Sequence, residues 1–82
     1  SMTGAGIKEG DLLLIRHQEQ VENGEIAVVV IDEQVVLKRV YRQNGDFILI
    51  SENPSYPPRT FNPEIDNNIR IIGRLKKAIT DF

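Results

Sequence analysis

The sequence predicts a single all-β domain over residues 1–82. Three observations carry this reading. Apolar residues come in short runs rather than in a sustained 3.6-residue repeat. The runs are separated by clusters of turn-forming residues, and Asn-Gly pairs stand at 23–24 and 44–45, where strands would reverse direction.

Taken in order, Gly4, Gly6 and Gly10 punctuate the opening, so residues 1–11 read as a loop or a single helical turn. Leu12 to Arg16 is the first strand. His17 to Glu25 is polar, carries the Asn23-Gly24 turn signal, and places His17 on the surface. Ile26 to Ile31 is apolar at every position, the pattern of a central strand covered on both faces. Asp32-Glu33-Gln34 turns the chain into a strand from Val35 to Arg42. Gln43-Asn44-Gly45-Asp46 then forms a tight hairpin returning along Phe47 to Ile50. These strands read as a meander of consecutive antiparallel neighbours. Ser51 to Asn68 holds all four prolines, at 54, 57, 58 and 63, and reads as an ordered, extended loop. Ile69 to Leu75 is the final strand, with Gly73 as a candidate bulge and Lys76 to Phe82 continuing it as an edge.

Composition narrows the function classes. At 82 residues the core is thin, because a domain of this size buries only about 60–65% of its unfolded surface. A net charge of −2 with no basic stripe argues against direct nucleic-acid binding by this chain. Without cysteine, disulfides and thiolate metal sites are excluded, and one histidine builds no zinc site unaided. The reading therefore carries no cofactor and no metal. No apolar run reaches the about 20 residues of a membrane helix, and no signal peptide is visible. The abrupt start at Ser1-Met2-Thr3 suggests a piece of a longer protein.

Lys38 is the residue out of place. Two-residue alternation puts it on one strand face with Val36 and Val40, and puts Val35, Leu37, Arg39 and Tyr41 on the other. An ammonium among apolar neighbours is disfavoured relative to the neutral amine, which can accept a proton as a general base. Lysines on strands also commonly snorkel to water or guard an edge, and the pattern alone leaves that open. Arg39 reads as a plain surface charge. Ser1 has two readings as well: a hydroxyl nucleophile, or the residue that a trimmed expression tag leaves behind.

Read together, the pieces form an ordered series: Ser1-Met2, Gly6-Ile7, Gly10-Asp11-Leu12, Asn23-Gly24-Glu25, Leu37-Lys38-Arg39, Glu52-Asn53-Pro54 with Tyr56-Pro57, and Ile72-Gly73. This series, across essentially the whole chain, resembles the S24-type peptidase domains of LexA, UmuD and the phage repressors. The resemblance implies a LexA/signal-peptidase-like fold that is N-terminally truncated here, with Ser1 as nucleophile and Lys38 as general base of a serine–lysine pair. It gives Glu52 to Pro57 a structural rather than a catalytic part. It further implies the C-terminal self-cleaving and dimerising domain of a transcriptional repressor, cytoplasmic in a bacterium or encoded by a phage. The helix-turn-helix domain that contacts DNA and the upstream segment that is cut would lie outside this chain, as would the residues just before the serine. The implied partners are a second copy and, as a candidate activator, a RecA filament. Ile69, Ile71, Leu75 and Ile79 form either the dimer seam or part of the domain's own core. Two alternatives stand beside this reading. One is a non-catalytic dimerisation module of a phage-type repressor. The other is a type I signal peptidase relative, which the short loop after Arg39 and the lack of a membrane anchor disfavour.

Overall fold

The computed structural model describes residues 7, 10–52 and 55–80. Six strands form one antiparallel sheet: β1 (Leu12–His17), β2 (Ile26–Ile31), β3 (Gln34–Gln43), β4 (Asp46–Ile50), β5 (Arg59–Phe61) and β6 (Ile69–Ile79). Their spatial order is β1-β6-β2-β3-β4-β5. The all-β expectation holds, and β2 to β5 are the expected meander. The departure is β6, which returns across the sheet and inserts between β1 and β2.

The two tight hairpins are made differently. At β3–β4, Asn44 and Gly45 adopt φ of 52° and 83° between the paired Gln43 and Asp46. Left-handed conformation at both central positions gives the turn the twist of the flanking strands, and Asn-Gly reaches it at low cost. At β2–β3, Asp32 and Glu33 adopt φ of 49° and 70° between Ile31 and Gln34. A non-glycine pair held in that region needs outside support, and it has some. Asp32 N–H donates to Asn68 O (3.0 Å), and Asn68 Nδ2 donates to Asp32 Oδ1 (2.7 Å).

The core lies mainly against one face of the sheet. Ala27 and Val29 of β2, Val40 of β3, Leu49 of β4, Phe61 of β5, and Ile69 and Ile71 of β6 form one buried cluster, with Val21, Ile31, Val36 and Phe47 packed against it. Val28 and Val30 are buried on the opposite face, so β2 is covered on both sides as its unbroken apolar run predicts. Strand alternation accounts for the rest of the pattern: Val40 is buried while its neighbour Tyr41 is exposed.

Three expectations are corrected. Residues 51–68 are not loop throughout, because Arg59–Phe61 pairs with Leu49–Phe47 as β5. Phe61 drives this, stacking on Phe47 with centroids 5.1 Å apart and planes 14° from parallel. Residues 76–79 are not an edge. They belong to the eleven-residue β6, and Lys77, Ala78 and Ile79 pair with Leu14, Leu13 and Leu12. The edge strands are β1 and β5. Finally, His17 ends β1 rather than lying in a turn, though it is exposed as expected. The bulge expected at Gly73 falls beside it, where the β2–β6 register skips Ile72.

Candidate functional site

Lys38 sits in the middle of β3, directly opposite Ala27 of β2. Its neighbours on the same face, Val36 and Val40, both belong to the core packing, and Ala27 is fully buried. The lysine is half-buried. A small side chain opposite a long one leaves room for the methylene stem over the core face. The alternation argument is thus correct about the face. The alternative of an edge-strand lysine is excluded, because β3 is flanked on both sides, by β2 and β4.

The Lys38 amine ends over an aromatic ring, with Nζ 5.7 Å from the centroid of Tyr56. Tyr56 itself is exposed and lies on the segment between β4 and β5. Ser51, the first residue after β4, is buried in the core region. Because Arg39 pairs with Ile50, the next step along both strands sets Ser51 across from Lys38, on the face that Val40 and Leu49 share. Ser51 and Tyr56 were not singled out as site residues from the sequence. A polar residue closing an apolar strand, followed by Glu-Asn-Pro, is the only signal that could have pointed to the first.

Arg39 is not a plain surface charge. It is half-buried, donates from Nη1 to Gly24 O (2.6 Å), and pairs through Nε with the Glu52 carboxylate. These contacts tie three elements together: the turn before β2, strand β3, and the end of β4. The pairing gives Glu52 the structural part expected for its segment; Asn53 and Pro54 lie outside the described residues. A parallel link joins Arg74 Nη1 of β6 to Glu25 Oε2 at 3.0 Å. Gly24 N–H donates to Val40 O (2.8 Å) and Val40 N–H to Glu25 O (3.0 Å), so the polar turn is sewn onto β3 two residues from Lys38.

Ser1 lies outside the described residues, as do Gly4 and Gly6, so the distance between Ser1 and Lys38 is not part of the description. Ile7 is described. It lines a shallow cleft with Gly24, Arg39 and Arg74, which brings the chain ahead of β1 to the end of the sheet that Arg39 pins. A larger open groove of ≈ 750 Å³, lined in part by His17, Arg42, Phe47, Phe61 and Ile71, lies toward the β3–β4 hairpin and does not include Lys38.

Chemically, the site offers one half-buried amine on a fixed strand, an aromatic face against that amine, and a buried hydroxyl in register with it. Among the described residues, no group of three or more His, Asp or Glu stands together as a metal site. Nor is any helix long and apolar enough to cross a membrane.

Comparison with known proteins fits this arrangement. Residues 1–76 match the family described as Peptidase S24-like. The LexA repressor of Deinococcus radiodurans is 40% identical over 78 residues, which cover 92% of this chain and 37% of that protein. LexA repressor 1 of Geobacter sulfurreducens is 41% identical over 75 residues, with the same coverage of each chain. The LexA repressor of Desulfitobacterium hafniense is 47% identical over 58 residues, covering 71% of this chain and 28% of that protein. The chain therefore spans little more than a third of the length of these relatives. A family match along almost the whole chain, relatives at about 40% identity and an all-β antiparallel sheet agree with one another, and the chain belongs to the Peptidase S24-like family, as the C-terminal domain of its LexA-type repressors.

Proposed function

We propose that this chain is the self-cleaving and dimerising domain of a LexA-like repressor, with Ser1 as nucleophile and Lys38 as general base. The observation that carries the proposal is the seat of Lys38: half-buried on the core face of an interior strand, opposite fully buried Ala27 and between Val36 and Val40.

The reaction runs without histidine or aspartate. The neutral Lys38 amine takes the proton from the Ser1 hydroxyl as Oγ bonds to a peptide carbonyl carbon. The tetrahedral oxyanion is met by backbone N–H donors. As it collapses, the C–N bond breaks, and the Lys38 ammonium returns its proton to the leaving amine. Lys38 then deprotonates water, which releases the acyl group from Ser1. The bond cut lies in a segment of the full protein ahead of this chain. DNA is contacted by a separate domain of that protein, in the cytoplasm of a bacterium or phage-infected cell, with a RecA filament as candidate activator.

The second copy docks in the region of the C-terminal strand. Ile69 and Ile71 are buried in the core of this chain, and both backbone edges of β6 are already paired. A dimer seam there therefore draws on the half-buried side chains of Leu75 and Ile79 rather than on strand addition.

Self-cleavage of the full-length protein, followed by gel across a pH series, tests the reading. The rate rises with pH, because only the neutral amine is a base. Ser1→Ala and Lys38→Ala each lower the rate at least about 10²-fold. A Lys38→Ala protein that cleaves itself at alkaline pH at the wild-type rate rules the assignment out.

A further inference from the structure

We infer that Tyr56 is a positioning residue for the Lys38 amine, and that its ring holds the amine in the charged, non-basic form. The inference rests on the serine–lysine reading above and adds to it a control over when the base is available.

The geometry is direct. Lys38 Nζ lies 5.7 Å from the centroid of the Tyr56 ring, within the range at which a cation is attracted by the negative face of an aromatic ring. Nothing else around the amine competes for that role. Across β2 stands Ala27, which is apolar. Glu25, before β2, is engaged by Arg74. Next to Lys38 on β3, Arg39 is engaged by Glu52 and Gly24, and Glu52 is thereby the partnered carboxylate at the end of β4. Ser51, in register across from Lys38, brings a neutral hydroxyl. The ring is the group whose attraction depends on the amine's charge and is not already committed elsewhere.

The consequence has a sign. A ring face favours the ammonium over the neutral amine, so it opposes proton loss and delays the base to higher pH. Tyr56 also stands on the segment joining β4 to β5, with more than half of its surface exposed (56%), not in the packed core. A displacement of this segment would release the amine and ease its deprotonation together.

The test is the pH profile of self-cleavage of the full-length protein, compared among wild type, Tyr56→Leu and Tyr56→Phe, with thermal unfolding in parallel and Lys38→Ala as control. Leucine keeps bulk over the amine but removes the ring face; phenylalanine keeps the face. For Tyr56→Leu, the pH of half-maximal rate falls by about half a unit, and below that pH the rate rises about three-fold, with the plateau unchanged. Tyr56→Phe follows wild type. A merely structural role would lower the melting temperature and leave the half-maximal pH in place, and that result overturns the inference. So does an equal shift in both variants, which would assign the effect to the hydroxyl. Continued cleavage by Lys38→Ala would instead remove the serine–lysine reading itself.

Discussion

Lys38 and Arg39 are adjacent cations on one strand, and their surroundings give them different work. Lys38 points over the core face with no carboxylate partner among the described residues. Arg39 points the other way, and its planar fork meets both a carboxylate and a backbone carbonyl. With side-chain exposures of 31% and 24%, Arg39 and Glu52 are well shielded from water, so the pair is worth more than a surface ion pair. Arg39→Ala is expected to lower unfolding free energy by about 2 kcal/mol in urea denaturation, because it strands the Glu52 carboxylate and the Gly24 carbonyl together. Arg39→Lys recovers less than half, since an ammonium lacks the second in-plane donor. A double-mutant cycle with Glu52→Gln should return a coupling of about 1 kcal/mol; additivity would mean the pair contributes nothing.

At the scale of elements, β6 does most to organise the sheet. Its first half pairs with β2 and its second half with β1, and each ladder is interrupted once. The β2–β6 interruption sits next to Gly73, where backbone and side chain of β1 come very close. A Cβ on residue 73 would lie 2.6 Å from Ile15 Cγ2 and 3.0 Å from Arg16 O. Neither is the free end of a flexible chain. Gly73→Ala is therefore expected to destabilise by about 1–3 kcal/mol in chemical denaturation. Adding Ile15→Ala should relieve part of that loss. An unchanged midpoint for Gly73→Ala would mean that β1 does not approach β6 this closely. The same contact explains why β1 holds its place as an edge although Leu12, Leu14 and Ile15 remain largely exposed.

For the whole molecule, the limiting fact is a thin core. A handful of buried side chains must hold six strands, and Leu49, Val29 and Val40 are the largest of them that are fully enclosed. Leu49→Ala is expected to cost about 3 kcal/mol. That is a large share of the about 4–12 kcal/mol typical for a chain of this length. The loss is measurable by calorimetry as a drop in melting temperature, and a drop of only a degree or two would place Leu49 outside the cooperative core. Residues 69–79 illustrate how the whole constrains the parts. The apolar spacing of Ile69, Ile71, Leu75 and Ile79 fits either a core or an intermolecular seam. The insertion of β6 between two strands assigns the first two to the core and leaves the last two half-buried.

What the sequence determined by itself was local. Strand period, the Asn44-Gly45 hairpin, the doubly covered β2 and the face on which Lys38 lies all follow from residues within a few positions of one another. Alternation and turn chemistry act at that range. The ordered series of short motifs carried the family as well. What only the tertiary structure decided was long-range. Arg59–Phe61 became a strand because Phe61 found Phe47, although proline-rich surroundings argued for loop. Asp32-Glu33 adopts a turn suited to Asn-Gly because Asn68 supports it from a distant part of the chain. Arg39 became an internal clasp because Gly24 and Glu52 converge on it. Tyr56 met the Lys38 amine only once the segment after β4 folded back. Pairing partners separated by many residues leave no periodic trace in a single sequence, so the closing of the sheet, and with it the setting of the base, had to be read from the fold.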